Sequence, residues 1–330
     1  MKIKIPNKIL DALDYIIMFD PVSLILVLLV TLAGYATQQM VVYDSPPWWV
    51  TGFNTRTLIA FISTFLCNGG ILILNQLNHR EKQIKASQLS PVENGNIESS
   101  VAKKTAVLAI TIGLAALLLI QKLFLAGVII VIFLVRGILH NFLKVSKKRK
   151  GGLWLVSNFI YALLLFIFGW LIKGTLQSQI GSYSLPYLTQ AFSFLILILL
   201  MNGNMLYKTY KDGEEIVHMG DRKYLIWLSF ALAVVSFVVG LKNNDPLITH
   251  SMLLSLVLYL ILIFKLNHLW IQRTLSYSLL FFIFFISSQY PWFFLFAVVA
   301  YYLAKKYYKD RYEIQFPNFG NIEMAGEEND

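Results

Sequence analysis

Long apolar stretches alternate with short polar loops along most of the chain. An α-helix rises 1.5 Å per residue, so about 20 apolar residues cross the roughly 30 Å hydrocarbon core of a bilayer. Nine stretches approach this length and predict membrane-spanning helices. The last stretch contains Pro291 and can instead form two short helices, which would give ten spans, because proline ends or kinks a helix. The nine stretches cover residues 21–42, 55–76, 105–121, 123–140, 153–172, 185–207, 224–241, 246–265 and 275–304.

The composition agrees with a membrane protein. Hydrophobic residues make up 57% of the 330 residues and charged residues only 14%, whereas about 25% of residues are charged in a typical soluble domain. We therefore expect an all-α, polytopic membrane helical bundle that forms one transmembrane domain over residues 1–310. Residues 1–20 are basic and mixed in polarity and predict a retained N-terminal surface helix, and residues 311–330 predict a polar C-terminal tail.

Lysine and arginine are concentrated in alternate loops, which indicates the orientation of the protein. The loops at 77–104, 144–150 and 208–223 are rich in cations, whereas "YDSPPWWVTGFN" and "LKNNDP" hold few. Short cation-rich loops stay on the cytoplasmic side, so we expect an integral protein of a bacterial inner (plasma) membrane with its N-terminus and these loops in the cytoplasm. This bias, together with attraction to anionic membrane lipid, accounts for the net charge of +10, and no nucleic acid partner is expected.

A polar run, "NQLNHREKQ" at residues 75–83, follows the apolar part of the second span. If the helix continues through this run, Asn75, His79 and Gln83 lie on one face because they are four residues apart, with Arg80 beside them. A helix end of this kind presents polar side chains at the membrane surface. The run is therefore a candidate binding site for a polar or charged group.

A second polar run, "YKTYKDGEEIVHMGDRKY" at residues 207–224, follows the sixth predicted span. It contains four carboxylates among four cations. Such a group can bind a divalent metal, or the carboxylates can neutralise the neighbouring cations, and the spacing leaves both interpretations open. The carboxylates are Asp212, Glu214, Glu215 and Asp221.

Cations near these runs and polar residues within the spans are further candidates. The cations have two interpretations: they bind an anionic head group directly, or they only mark the cytoplasmic side of the membrane. These cations are Arg80, Lys82, Lys208, Lys211, Arg222 and Lys223. The polar residues within the spans also have two interpretations: they face a pocket, or they form hydrogen bonds between helices. These residues are Arg136, Asn158, Gln190, Asn202 and Asn204. Cys67 is the only cysteine, so no disulfide forms within the chain.

The order of these parts resembles the UbiA-type intramembrane prenyltransferase superfamily. Members of that superfamily have nine helices and two acidic motifs, one after the second helix and one after the sixth. "NQLNHREKQIKASQLSPVENGNIESSVA" is similar to the first motif, N-D-x-x-D-x-x-x-D, and to its following loop, including Pro91 and the run Gly95-Asn96-Ile97. "KDGEEIVHMGDRKY" is similar to the second motif, and "DPVSLILVLLVTLAGYA" looks like the opening helix of the family.

The resemblance implies a function and a set of site residues. UbiA-type proteins use Mg²⁺ to transfer a polyprenyl group from a diphosphate to an aromatic or lipid acceptor. The expected partners are therefore membrane lipid, a polyprenyl diphosphate and a lipophilic acceptor. By position in the motifs, the implied catalytic residues are Asn75, His79, Asp212 and Glu215, and the implied metal ligands are Asn75, Asp212, Glu215 and Asp221. The implied substrate-binding residues are Arg80, Lys82, Asn202, Asn204, Lys208, Lys211 and Arg222.

Three positions depart from the family pattern. His79 and Gln83 replace two aspartates of the first motif, and Asp20 replaces an arginine at the start of the first helix. A unit charge about 4 Å away contributes roughly 4 kcal/mol at an effective dielectric constant of 20, so an exchange of arginine for aspartate near a diphosphate changes the interaction by about twice that amount. Two functions therefore stay open: prenyl transfer, or a catalytically inactive family member that binds lipid or a partner.

Overall fold

The computed structural model describes residues 6–42, 54–81, 90–139, 151–172, 206–211, 214–219, 223–242, 246–265 and 268–312. Within these ranges the chain is predominantly helical, as its apolar stretches predict. The elements in chain order are α1 Asn7–Ile17, α2 Pro21–Val42, α3 Thr55–Glu81, α4 Ser99–Leu119, α5 Leu123–Ile132, a π-helix Phe133–Leu139, α6 Gly151–Leu171, β1 Leu206–Lys211, β2 Glu214–Met219, α7 Lys223–Lys242, α8 Pro246–Phe264, α9 His268–Gln289 and α10 Pro291–Tyr312.

Several helices have the length and polarity of membrane spans. Among the described residues, four segments are long and apolar enough to cross a bilayer: Asn7–Ala36, Thr55–Asn78, Ser99–Leu119 and Leu247–Phe264. Four further apolar helices are shorter. The prediction of a polytopic helical membrane protein is therefore confirmed. The count of nine spans stays a prediction, because most of the sixth predicted span lies outside the described residues.

The last apolar block consists of two helices. Helix α9 ends at Gln289 and α10 begins at Pro291, and each has 22 residues. Proline fits the first position of a helix, because an N–H at that position has no intrahelical acceptor and its absence in proline loses no hydrogen bond. The backbone N–H of Phe293 donates to the carbonyl oxygen of Tyr290 at 2.9 Å and starts the new helix. The two-helix alternative for residues 275–304 is thus the observed one.

The second polar run forms a β-hairpin, which the all-α prediction did not include. Strands β1 and β2 are antiparallel and pair Lys211 with Glu214 and Tyr210 with Glu215. Tyrosine, threonine, isoleucine and valine favour strands, and an Asp-Gly pair between two such segments is a strong hairpin signal. Asp212 and Gly213 stand at this place in the sequence. The charges of this run do not distinguish a loop from a strand, whereas its turn residues predict the hairpin.

Contacts divide the chain into two compact units. The first comprises residues 1–184 and 287–314, and the second residues 185–286 and 315–330. In the first unit, α2 packs closely against α6 and α3 against α4. Gly34 and Gly169 permit the close approach of α2 and α6, since a Cβ added at either position would overlap the backbone of the other helix. Small residues at such crossings are typical of membrane helices.

The second unit contains the hairpin and helices α7 to α9. Helices α7 and α8 approach closely at Gly240, where an added Cβ would lie 2.8 Å from the Thr249 hydroxyl oxygen. Farther along α8, the Ser255 hydroxyl donates to the carbonyl oxygen of Ser251 at 2.7 Å. Such bonds satisfy hydroxyl groups inside an apolar helix pair.

Candidate functional site

The first polar run lies at the C-terminal end of α3. The helix continues to Glu81, five residues beyond the end of the predicted span, so Asn75, His79 and Arg80 lie on it. Asn75 is buried, with 9% of its surface exposed. Lys82 and Gln83 lie outside the described residues. The structure therefore places the first predicted site residue inside the bundle.

A row of polar residues connects Asn75 with the interior of the first unit. Thr64, Asn68, Asn75 and His79 are separated by four, seven and four residues, spacings that bring them to one side of α3. Thr64 and Asn68 are completely or almost completely buried. We call these four residues the α3 stripe. None of the four is acidic.

Hydrogen bonds fix the end of α3 against its neighbours. The Gln76 side-chain amide donates to the carbonyl oxygen of Met18 at 3.1 Å and accepts from the Ser90 hydroxyl at 2.6 Å. The Ser90 hydroxyl also accepts from the backbone N–H of Val92 at 3.2 Å. Gln76 thus joins the end of α1 to the loop that follows α3. Sequence reasoning missed this residue, although it is adjacent to Asn75.

An apolar cluster lies beneath these hydrogen bonds. Its buried members come from the end of α1, the end of α3, the following loop and the start of α4: Met18, Ile73, Leu77, Val92, Ile97, Ala102 and Ala106. In the loop, Gly95 has a φ of 79°, which glycine adopts without strain, and the N–H of Asn96 donates to the carbonyl oxygen of Pro91 at 2.9 Å. The described part of the loop after α3, residues 90–98, therefore packs against the end of that helix through Val92 and Ile97.

Asp20 caps helix α2. It has a φ of 50°, and its carboxylate accepts hydrogen bonds from both the backbone N–H and the hydroxyl of Ser23, the former at 3.1 Å. Aspartate is among the preferred residues at this position, because its side chain satisfies an N–H group without an intrahelical partner. Asp20 therefore stabilises the start of α2.

Polar contacts join the two ends of the first unit. Asp14 on α1 is buried and accepts hydrogen bonds from the Tyr307 hydroxyl and from Arg311, the latter at 2.8 Å. The amide of Asn96 donates to the Tyr312 hydroxyl at 2.8 Å. We call Asp14, Tyr307 and Arg311 the terminal clasp. Burial and the hydrogen bond to Asp14 raise the pKa of Tyr307, so its hydroxyl stays protonated and donates at neutral pH.

The terminal clasp extends beyond the predicted boundary of the transmembrane domain. Helix α10 continues to Tyr312, two residues into the segment predicted as a polar tail. Arg311 also contacts the exposed carboxylate of Asp11 at 3.1 Å. Part of the basic run after Lys305 therefore binds acidic residues of α1.

Three of the residues predicted at the second motif lie on the strands of the hairpin. Lys208, Lys211 and Glu215 belong to its strands, and the backbone register places Lys208 opposite Val217. The remaining predicted residues lie outside the described residues: Asn202, Asn204, Asp212, Asp221 and Arg222. Within the described part of the chain, no three His, Cys, Asp or Glu residues are grouped as for a metal ion. The predicted assembly of the two motifs thus stays a prediction.

A second polar group lies farther inside the first unit. The Tyr161 hydroxyl on α6 donates to the side-chain oxygen of Asn68 at 2.9 Å. The guanidinium carbon of Arg136 lies 5.2 Å from the centre of the Tyr161 ring. Arg136 was a candidate from its position within a span, whereas Asn68 and Tyr161 were missed. The seven-residue spacing between Asn68 and Asn75 was the available signal for Asn68.

Comparisons with known proteins show similarity in structure. No family model and no curated protein matches the sequence. A solved structure of digeranylgeranylglyceryl phosphate synthase has 14% identity and a TM-score of 0.56 over 88% of this chain and 98% of that chain. A UbiA homolog from Archaeoglobus fulgidus, bound to DMAPP and Mg²⁺, has 14% identity and a TM-score of 0.53 over 87% of this chain and 99% of that chain. The sequence resemblance is thus confirmed at the level of the fold: this integral membrane protein has the fold of the UbiA-type intramembrane prenyltransferases.

Proposed function

We propose that the protein is a UbiA-type prenyltransferase, which transfers a polyprenyl group from a diphosphate to an aromatic or lipid acceptor. The observation that carries this proposal is the UbiA-type fold over nearly nine tenths of the chain. The position of Asn75 supports it, since this residue begins the run that resembles the family's first motif and is buried near the end of α3. In this proposal both motif loops lie on the cytoplasmic side of a bacterial inner membrane.

The donor atoms of the candidate metal ligands fit Mg²⁺. Asp212, Glu215 and Asp221 supply carboxylate oxygens and Asn75 supplies an amide oxygen, and hard divalent cations prefer oxygen ligands. Bound there, Mg²⁺ would neutralise charge on the diphosphate as it leaves. The UbiA homolog from Archaeoglobus fulgidus was solved with both DMAPP and Mg²⁺.

The remaining predicted residues have roles in this proposal that follow from their chemistry. Cations around the two motifs bind phosphate oxygens, and arginine does so through two parallel hydrogen bonds. They are Arg80, Lys82, Lys208, Lys211 and Arg222. His79 lies on α3 one residue before Arg80. Asn202 and Asn204 precede the second motif and would contact the substrate from there.

Calorimetric binding of geranylgeranyl diphosphate to the purified protein, with and without Mg²⁺, tests the donor site. We expect binding that requires Mg²⁺ and that is lost in Asp212→Ala and Glu215→Ala. Glu98→Ala is the matched control, because Glu98 is an exposed carboxylate at the start of α4, outside the proposed ligand set. Absence of binding under both conditions would contradict the proposal and favour a lipid-binding or partner-binding protein.

Prenyl transfer is tested separately, by incubating protein, Mg²⁺ and radiolabelled geranylgeranyl diphosphate with aromatic and lipid acceptors. The expected result is a labelled acceptor that depends on Asp212 and Glu215. Magnesium-dependent binding without transfer to any acceptor of either class would contradict the catalytic part of the proposal.

A further inference from the structure

Two cations contact one tryptophan at the turn between α8 and α9. Lys265 follows the last residue of α8, and Arg273 lies in the second turn of α9. The Nζ atom of Lys265 lies 5.7 Å from the centre of the Trp270 ring, and the guanidinium carbon of Arg273 lies 5.4 Å from it. Both distances are typical of cation–π interactions. We call Lys265, Trp270 and Arg273 the Trp270 cluster.

The Trp270 cluster concentrates positive charge at the end of a helix pair. Among the described residues, neither Lys265 nor Arg273 forms an ion pair with a carboxylate. Lys265 is exposed and Arg273 is half-buried, so both are accessible from outside the protein. The contact with the Trp270 ring restricts both side chains, which lowers the entropy that they lose on binding an anion. The cluster is therefore a preorganised site for a negatively charged group.

An exposed apolar face of α8 leads to the Trp270 cluster. Four large side chains of this face are each more than two fifths exposed and are spaced by four, three and four residues, which brings them to one side of the helix. They are Leu253, Val257, Leu260 and Phe264. At 1.5 Å per residue the face extends about 16 Å along the helix, close to half of the roughly 30 Å hydrocarbon core. It thus matches the depth of one leaflet of the bilayer.

Helix α9 has a similar face on its side of the turn. Tyr277, Leu280 and Phe284 are exposed and are spaced by three and four residues, beginning one turn after Arg273. The Thr274 hydroxyl donates to the carbonyl oxygen of Leu258 at 3.4 Å, so α8 and α9 lie side by side near the cluster. Each of the two helices therefore presents an apolar face that runs from the cations into its span.

We propose that the Trp270 cluster binds the head group of an anionic phospholipid, whose acyl chains lie against the exposed faces of α8 and α9. Arginine binds phosphate oxygens through two parallel hydrogen bonds, and lysine binds them as a point charge. A zwitterionic head group fits less well, because its own cation is repelled by the cluster. The apolar faces favour a lipid over a soluble phosphate, which would make no contact with them.

The expected orientation of the chain agrees with this assignment. If the loop at 208–223 is cytoplasmic, as its cations predict, α7 and α8 return the chain to that side at Lys265. The cytoplasmic leaflet carries anionic lipids, and basic clusters beside membrane helices bind their head groups there. The Trp270 cluster lies in the second unit, and its binding of lipid does not require prenyl transfer.

Native mass spectrometry of the full chain in detergent tests the site. The protein is mixed with equal amounts of phosphatidylglycerol and phosphatidylcholine of identical acyl chains, so only the head group differs. We expect Lys265→Gln/Arg273→Gln to lower the ratio of phosphatidylglycerol to phosphatidylcholine adducts by about tenfold. Arg56→Gln/Lys242→Gln is the matched control, because it removes two exposed cations outside the cluster. The control should leave the ratio unchanged.

An unchanged adduct ratio in Lys265→Gln/Arg273→Gln would overturn the inference. An equal decrease in the control would also overturn it, because total charge and not the cluster would then attract the lipid. Lys265→Gln alone changes one exposed side chain and keeps the inference testable where the double variant does not fold; it should lower the ratio by about threefold. Lys265→Arg/Arg273→Lys retains both charges and should keep the preference for phosphatidylglycerol.

Fluorescence quenching locates the bound lipid. The difference in emission between the wild type and Trp270→Phe isolates the signal of Trp270. Bromine atoms quench tryptophan only at short range, so we expect phosphatidylglycerol brominated near its head group to quench this signal more than equally brominated phosphatidylcholine. Equal quenching by the two lipids would overturn the inference.

Glycerol phosphate separates a lipid from a soluble anion. It has the phosphate of the head group but no acyl chains, so we expect it to displace phosphatidylglycerol only weakly. Displacement at the same concentration as a competing phosphatidylglycerol would assign the cluster to a soluble phosphate and overturn the lipid assignment.

Discussion

The crossing of α2 and α6 gives a quantitative test of the fold. A Cβ added at Gly169 would overlap the Thr31 carbonyl oxygen and would lie 2.8 Å from its carbon and 3.0 Å from the Tyr35 nitrogen. All three are backbone atoms, which cannot rotate away as a side chain does. We therefore expect Gly169→Ala to force the helices apart. Overpacking of this kind costs about 1–3 kcal/mol, and a change of 1 kcal/mol shifts Tm by about 2–4 °C in a protein of 150–250 residues.

Gly127 supplies a matched control for Gly169. An added Cβ at Gly127 would meet no atom within 4 Å. Alanine is a better helix former than glycine by about 1 kcal/mol, so we expect Gly127→Ala to leave Tm unchanged or to raise it. Gly169→Ala should lower Tm by about 2–12 °C. Replacement of glycine by alanine is thus expected to destabilise the protein at position 169 but not at position 127.

The buried thiol of Cys67 reports unfolding directly. It is the only cysteine, and its side chain is fully buried between α3 and α4. A maleimide dye that fluoresces on reaction would label it only as the bundle opens, so a thermal ramp in detergent yields an apparent midpoint without an engineered probe. A Gly169→Ala unfolding midpoint within 1 °C of the wild type would refute the close approach of α2 and α6. An equal decrease of the midpoint in Gly169→Ala and Gly127→Ala would also refute it.

The same assay tests the cap of α2 and the terminal clasp. Asp20→Ala should lower stability by about 1 kcal/mol through loss of the cap. Asp20→Asn should retain most of this stability, because asparagine caps helices and tolerates a positive φ. Equal midpoints for the two variants would contradict the capping role of Asp20. Arg311→Gln should be more destabilising than Tyr307→Phe, because it leaves the buried charge of Asp14 without its cation. Asp11→Asn removes only an exposed partner of Arg311. We expect it to change stability by less than about 0.5 kcal/mol. A Tyr307→Phe midpoint below that of Arg311→Gln would contradict the charge argument.

The main helices were predictable from the sequence because hydropathy reports burial in a bilayer directly. Helix α2 covers the predicted residues 21–42, and α8 ends one residue before its predicted end. The continuation of α3 to Glu81 meets the condition under which Asn75 and His79, four residues apart, lie on one face of a helix. These features depend on local pattern alone.

Other features depend on contacts that local pattern does not contain. Asp14 and Arg311 are almost 300 residues apart in sequence, so spacing could not pair them. Asp20 was interpreted through its charge near a diphosphate, whereas its φ and its bonds to Ser23 give it a capping function. The hairpin was different, because Asp212-Gly213 between two β-favouring segments did signal it in the sequence.

The α3 stripe bears on how the metal would be held in the proposed function. With His79 and Gln83 in place of aspartates, the polar side of α3 carries no carboxylate before Glu81. A neutral amide is also less costly to bury than a carboxylate, which is consistent with the low exposure of Asn75. Farther along the stripe, Asn68 accepts a hydrogen bond from the Tyr161 hydroxyl at 2.9 Å. In the proposed function, the second motif therefore supplies the carboxylate ligands of the metal, and Asn75 on α3 supplies a neutral amide oxygen.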